Sequence, residues 1–407
     1  MTNKKVFSDY FCWGAATASY QVEGGIENND WAQAAREGRV PVCGKACDHY
    51  NRYETDFDIA QSLGHNAHRF SIEWARIEPE EGKFDEREIE HYRRVLQALR
   101  DRTMEPFVTL WHFTLPQWFA ESGGFERRDA PEVFARYCAY VVEKLGDLAV
   151  HFSTINEPNV YAGHGYLFGV WPPFLQSRLA RKGDGTELQA QPHASVFNYW
   201  RYWRGTTQLA RSHNAAYRAI KAVQPNTRVS IVKHVRVFTG DGRMWNRVLA
   251  RLMSYLQTDR FINQVADHLD EIGLNYYQWT VFGNCDVSMK TTDMGWYCRP
   301  EGIYHALKQL SKYSKPIFVA EAGLADAHDT LRAEYITKQV TAMQRAVQDG
   351  VDVRGHLYWS LLDNYEWALG FEKRFGLVEI NYETLERTIR PSAYVYKNIC
   401  ENNGIVE

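Results

Sequence analysis

Short apolar runs alternate along the chain with longer stretches of helical spacing. Phe11 to Ala16, Ala67 to Ile72, Glu105 to Leu110, Phe152 to Asn156, Val229 to Val232, Ile272 to Tyr276, Ile317 to Ala320 and Gly355 to Ser360 read as strands, being short and rich in β-branched and aromatic residues. Between them, Arg52 to Leu63 has helical spacing and is stopped by Gly64. Glu86 to Leu99 places Ile89, Tyr92, Val95, Leu96 and Leu99 on one stripe. Asp129, with Pro131 in the first turn, reads as the N-cap of a helix ending near Leu145. Thr207 to Val223, most of Trp245 to Asp267, Glu301 to Tyr313 and Leu331 to Gln348 are helical as well, and Pro391 opens a closing helix. Tyr161 to Gln191 is rich in Gly and Pro and reads as an irregular loop.

Eight strand-to-helix alternations without a break in composition predict an α/β protein, a single (β/α)8 TIM barrel with decorated βα loops spanning residues 1–407 as one domain. In that fold the chemistry sits at the C-terminal ends of the strands. Two of those ends carry glutamates. Thr154-Ile155-Asn156-Glu157-Pro158 stops at a proline, which donates no ladder hydrogen bond and disfavours helix in the residue before it. Pro316-Ile317-Phe318-Val319-Ala320 runs into Glu321 and then Ala322-Gly323. Glu157 therefore ends the fourth strand and Glu321 the seventh, and parallel strands turn both carboxylates toward one mouth.

Composition narrows the chemistry. The 407-residue chain is 45% hydrophobic and 24% charged with a net charge of −3, which gives no electrostatic case for nucleic acid or an anionic membrane. Its 13 Trp, 24 Tyr and 20 Phe are the unusual feature; those in strand-end loops offer flat apolar faces suited to sugar C–H surfaces. Seven scattered cysteines do not form a disulfide framework, and Cys43 and Cys47, the one close pair, lack the second cluster a zinc site needs. No metal and no cofactor is expected. The first residues lead into Val6-Phe7 without an apolar run of signal-peptide length, so the expectation is a cytoplasmic protein, with homo-oligomers left open.

Two facing carboxylates serve a metal, a structural hydrogen-bond pair, or glycoside cleavage. Metal binding finds only His112 as a further ligand at a strand end. Glycoside cleavage with retention needs one protonated and one ionised carboxyl about 5 to 5.5 Å apart, which opposed strands of one barrel can supply.

The chain also resembles glycoside hydrolase family 1, the β-glucosidase family, along almost its whole length. Phe11 to Gly24, Ala46 to Tyr53 and His68 to Trp74 are similar to its opening blocks, Thr154 to Pro158 to its acid/base motif and Val319 to Gly323 to its nucleophile motif. Tyr358 to Trp367 and Arg374 to Leu377 give the densest match. The resemblance implies a retaining β-glucosidase acting on β-glucosides and oligosaccharides, with galactosyl or fucosyl residues also accepted and transglycosylation open to the same intermediate. It implies Glu157 as acid/base, Glu321 as nucleophile, and Arg69 and Tyr277 as supports of the nucleophile. Asn156, Gln21, His112 and Glu366 are implied to bind hydroxyls, Trp359 and Trp367 to stack on the sugar, Asn275 to support the polar network and Phe375 to line the rim.

Some positions depart from the family pattern. Ala322 stands where Asn is usual and Glu73 where Ser is common, the Gly169 to Phe174 loop differs, and loops between Gln176 and Tyr202 and after Phe282 are short. These departures leave the reaction alone and bear on the aglycone specificity. A 6-phospho-β-glucosidase would want Ser at position 366 with Lys and Tyr beyond, whereas Glu366-Trp367 would repel phosphate. A sugar-binding barrel without catalysis is the other alternative, and the presence of both glutamates counts against it.

Overall fold

The structure, a computed structural model, describes residues 7–175, 196–284 and 289–405. Eight strands, β1 (Cys12–Ala16), β2 (Ala67–Ser71), β3 (Glu105–Trp111), β4 (His151–Asn156), β5 (Arg228–His234), β6 (Glu271–Tyr276), β7 (Ile317–Ala322) and β8 (Val353–Trp359), close into a barrel in which neighbours pair in parallel. A helix follows each strand, from His49–Ser62 after β1 to Pro391–Asn402 after β8. This is the (β/α)8 architecture expected from the alternation.

Local sequence explains the elements. In Glu86–Asp101 the Asp85 side chain accepts from the Arg87 N–H, and Ile89, Tyr92, Val95, Leu96 and Leu99 are all buried. Burying such side chains stabilises by about 1.5–3 kcal/mol each. Inside the barrel, Ala16, Ala67, Phe107, Val232, Phe318, Ala320 and Leu357 form one packed cluster. It is a solid floor, so a ligand can approach only from the strand ends above it.

Several expectations are corrected. Tyr161 onward is not irregular from its start: Pro158–Ala162 is a short helix, continued by a wider turn over Gly163–Leu167. Pro158 begins it because a first-turn proline gives up no hydrogen bond. The rest of that stretch, from 176 to 191, lies outside the described residues. The next helix starts at Val196 rather than Thr207. The last strand ends at Trp359, one residue before Ser360. Asp129 stands at the N-cap position but makes no capping bond, its carboxylate being taken by Arg127 at 2.7 and 2.9 Å.

Two small additions went unforeseen. Val237–Gly240 pairs in parallel with Trp279–Phe282 beyond β5 and β6, and Val378–Ile380 pairs antiparallel with Arg387–Ile389. Register shifts occur near the C-terminal ends of β4, β6 and β8, at Ser153/Asn156, Leu274/Asn275 and His356/Tyr358. Such irregularities re-aim side chains where a site needs them. No described helix is long and apolar enough to cross a membrane.

Candidate active site

Chain direction brings the site together. Each parallel strand runs toward the same rim, and the residue at or just past its end turns into the mouth. Arg69 from β2, His112 after β3, Asn156 and Glu157 at the end of β4, Asn275 and Tyr277 around the end of β6 and Glu321 on β7 meet there.

Glu157 has a left-handed backbone, φ 46° and ψ 60°, at the N-terminus of the Pro158–Ala162 helix. A non-glycine residue held so costs about 1–3 kcal/mol and persists only where its surroundings enforce it. The enforcing contacts are the Glu157 N–H donated to the Val232 carbonyl at 2.8 Å and the proline that follows. The carboxylate receives the Asn275 Nδ2–H at 2.8 Å. Burial, and then the charge of Glu321, push its pKa up to about 8, against the opposing pull of Asn275, Lys233 and Arg69.

Glu321 has the opposite surroundings. Arg69 Nη1 lies 2.5 Å from Oε1, and the Tyr277 hydroxyl donates to Oε2 at 2.8 Å. Arg69 is itself locked by Nε donating to Thr109 Oγ1 at 3.0 Å and Nη2 to Asn156 Oδ1 at 2.8 Å. A fixed, fully buried guanidinium with a hydroxyl donor beside it favours a charged carboxylate. Gly323 allows this strand end to lie close to its neighbour, since a Cβ there would fall 1.8 Å from the Trp359 carbonyl oxygen.

A hydrogen-bonded chain joins the two acids. It runs from Glu157 to Asn275, on to Asn156 Oδ1 at 3.3 Å, then through Arg69 to Glu321. Asn156 Nδ2 also meets His112 Nε2 at 3.2 Å. Burial first, and Arg69 second, hold His112 well below its usual range, so its ring is neutral and its Nδ1 carries the proton. The His112 ring lies nearly parallel to both Trp359 and Trp367, with centroids 6.0 Å away in each case. Phe375 packs edge-on against Tyr277 at 6.2 Å.

Gln21 and Glu366 stand farther out. Gln21 Nε2 donates to Asn364 Oδ1 at 3.0 Å and to the Tyr365 carbonyl at 2.8 Å, with no direct contact to either acid. Glu366 is partly open to solvent and reaches Glu321 only through its charge; burial first, and that charge second, raise its pKa. Gln21 Oε1, His112 Nδ1 and Asn275 Oδ1 are buried without a protein partner. Orphaned polar atoms are costly, so three around one mouth mark a place built for a polar ligand.

The departures from the family pattern also find places. Ala322 is buried between Tyr276 and Tyr358, and Glu321 keeps two donors without a side chain from that position. Glu73 is fully buried and accepts from Ser19 Oγ and Thr114 Oγ1 at 3.0 Å and Asn29 Nδ2 at 3.4 Å, tying three loops behind the mouth. Cys43 and Cys47 are buried thiols that donate to the Tyr20 and Asp363 carbonyls. Among the described residues no group of three or more His, Cys, Asp or Glu side chains could hold a metal ion.

Sequence reasoning missed Lys233, which interacts electrostatically with Glu157. The signal was present, since a lysine inside the run Val229-Ser230-Ile231-Val232-Lys233 breaks the apolar pattern of a barrel strand.

The comparisons with known proteins agree with this architecture. A 1,4-beta-D-glucan glucohydrolase of Thermotoga neapolitana is 32% identical, covering 99% of this chain and 100% of that protein. Beta-glucosidase A of Thermotoga maritima is also 32% identical, covering 99% of each. Among solved structures, a beta-glycosidase from Pyrococcus horikoshii superposes with a TM-score of 0.86 at 35% identity, over 98% of this chain and 96% of that one. The family model described as Glycosyl hydrolase family 1 matches residues 3–405, and with full-length relatives above 30% identity the chain belongs to that family.

Proposed function

We propose that the protein is a retaining β-glucosidase, hydrolysing terminal non-reducing β-D-glucosyl residues, with β-D-galactosyl or β-D-fucosyl residues accepted to a lesser degree. The observation that carries this reading is the contrast between two carboxyls at one mouth. Glu157 is held protonated by burial, while Glu321 is held by a guanidinium and a phenol.

In the first step Glu321 attacks the anomeric carbon while Glu157 gives its proton to the departing glycosidic oxygen. Arg69 and Tyr277 keep the attacking oxygen charged and aimed. Once Glu321 is an ester its charge is gone, and the second-largest cause raising the Glu157 pKa goes with it. Glu157 can then take a proton from water, which displaces Glu321 and gives the sugar with its original anomeric configuration. A second sugar in place of water gives transglycosylation.

Asn156, Gln21, His112 and Glu366 bind the sugar hydroxyls in this reading, Trp359 and Trp367 stack on the ring, Asn275 holds Glu157 and Phe375 lines the rim. The unpartnered Gln21 Oε1 and His112 Nδ1 suit a hydroxyl donor and a hydroxyl acceptor respectively. The acidic Glu366, where a phosphate pocket would want Ser, makes a phosphorylated sugar a poor fit. We read residues 1–407 as one catalytic unit. The six described cysteines are all free, which suits the reducing cytoplasm.

Glu321→Ala is expected to abolish turnover of an aryl β-glucoside, and azide should restore it with the inverted glucosyl azide as product. Undiminished turnover in this variant, or rescue with retained configuration, would overturn the assignment. A sugar-binding barrel without catalysis would bind glucose and leave even an activated glucoside intact.

A further inference from the structure

Glu73, just past the end of β2, is a buried acid that these steps leave unused. It is fully buried, and among the described residues no cation pairs with it, Arg76 being taken by Glu23 at 2.9 Å. Burying a carboxyl without a cation is costly unless hydrogen bonds take the place of water. Serine, the common residue here in the family, carries no such cost, so the acid needs an explanation.

Its hydrogen bonds supply one, because they come from three separate segments of the chain. Ser19 Oγ donates at 3.0 Å, Thr114 Oγ1 lies 3.0 Å from both carboxyl oxygens, and Asn29 Nδ2 donates at 3.4 Å. Each segment serves the sugar pocket. Ser19 opens the Ser19–Val22 helix that carries Gln21, and a single turn without a side-chain cap does not hold its shape alone. Thr114 follows His112 across Phe113, whose backbone is left-handed at φ 75°. Such a backbone persists only where its surroundings enforce it. Thr114 is fixed on both sides, its hydroxyl on Glu73 and its carbonyl accepting from Trp111 Nε1 at 2.8 Å. Asn29 caps the Asp30–Arg36 helix, its Oδ1 accepting from the Ala32 N–H at 2.8 Å, and Trp31 of that helix packs on Trp367 with ring centroids 4.8 Å apart.

Burial, and then the charge of Glu23, raise the Glu73 pKa to about 7 against the pull of Ser19, Thr114 and Asn29. The three bonds outlast either protonation state. A carboxylate accepts from all three, and a protonated carboxyl can turn its own O–H to the Thr114 hydroxyl, which accepts as well as donates.

We propose that Glu73 is a positioning residue for substrate recognition, a buried clamp that sets Gln21, His112 and the Trp31 backing of Trp367 where the sugar meets them. This rests on the reading of Gln21 and His112 as hydroxyl-binding residues. Asn156 stands outside the clamp, held instead by Arg69 and Asn275.

The test reads hydroxyl recognition in the full-length enzyme. kcat/KM is measured on an aryl β-glucoside and on analogues lacking one hydroxyl at a time. Gln21→Ala, His112→Ala and Asn156→Ala on this panel show which hydroxyl each residue holds. Glu73→Ala should lower kcat/KM on the intact glucoside by about 10²-fold, since a pocket group displaced by about 1 Å costs that much. On analogues already lacking a hydroxyl of Gln21 or His112 the loss should be about tenfold smaller, because the contact it disturbs is gone. On the analogue lacking the Asn156 hydroxyl the loss should match that on the intact glucoside. Ser19→Ala should reproduce the Gln21 share alone and Thr114→Val the His112 share alone, and these two variants carry the test if Glu73→Ala does not fold. Glu73→Gln, which keeps the shape and one accepting oxygen, should fall between Glu73→Ala and the wild type. Losses equal on every analogue would mean a merely structural acid and would overturn the proposal, as would unchanged profiles in Ser19→Ala and Thr114→Val. Calorimetric binding of the matching thioglucosides gives the same comparison without turnover. A wild type that binds them but leaves the aryl β-glucoside intact overturns the β-glucosidase reading, while the binding profiles still decide the role of Glu73.

Discussion

Two buried carboxylate sites in this barrel are built on opposite principles. Asp363, just past β8, is fully buried and saturated: Arg390 donates from both terminal nitrogens at 2.9 Å, Arg374 Nη1 at 3.2 Å and the Gly376 N–H at 2.9 Å. Among the described residues the mouth holds three acids, Glu157, Glu321 and Glu366, and one guanidinium in direct contact with any of them, Arg69 on Glu321. Where cations match carboxylates the group is a rivet. Where cations are short, one carboxyl keeps its proton, and an acid with a proton to give can do chemistry.

Glu157→Gln tests the mouth and has the largest expected effect. The amide keeps the shape and the acceptor for Asn275 but has no proton to give. Turnover of glucosides with poor leaving groups should fall by about 10²–10⁴-fold. On 2,4-dinitrophenyl β-glucoside, whose phenolate leaves unaided, the first step should be nearly unharmed and a burst of phenolate should precede slow turnover. The wild-type kcat/KM should decline as pH rises through about 8, where Glu157 loses its proton, and the variant should lack that limb. Stopped-flow release of the phenol at several pH values measures all of this.

Asp363→Asn tests the rivet. Arg390 would be left buried with half its partners, and breaking a buried pair from one side typically costs about 3–5 kcal/mol. The urea midpoint should fall by a corresponding amount with an unchanged slope, while turnover of the folded fraction changes far less than in Glu157→Gln. Should Asp363→Asn instead lose turnover at full stability, the division between the two sites would be wrong.

Much of this was legible in the chain. The alternation of short apolar runs with striped helices fixed the barrel, since it records which faces must be buried. The two glutamates stood out because each follows a strand and precedes a residue, Pro158 or Gly323 beyond Ala322, that interrupts regular structure. The resemblance named the remaining pocket residues, and the structure brings Arg69, Asn156, Asn275 and Tyr277 into one network with them. What escaped was set by partners far apart in sequence. The left-handed backbone of Glu157 depends on the Val232 carbonyl. The Val237–Gly240 and Trp279–Phe282 pair is four residues on each side, too short to stand out from the loops around it. Lys233 could be seen to violate its strand, but only the folded chain shows that it is buried with its ammonium on the His234 carbonyl.

The smallest expected effect concerns stability, and it runs against the direction of most active-site damage. The folded state holds the Glu157 proton more tightly than the unfolded chain does, with a pKa of about 8 against an ordinary 4.5. Its contribution is therefore fully present below about pH 4.5 and is lost as pH rises toward 8, because the folded protein must then carry a buried charge that the unfolded chain solvates freely. Glutamine never ionises. The wild type and Glu157→Gln should accordingly unfold at nearly the same temperature near pH 4.5, and the variant should gain about 4–5 °C by pH 8. Asp363→Asn should stay below the wild type at both pH values, since what it loses is a partner for Arg390 rather than a proton. Calorimetric scans of the three proteins at the two pH values provide the measurement. A Glu157→Gln variant less stable than the wild type at pH 8 would mean that the carboxylate is compensated in place after all, and that the mouth is built like the rivet.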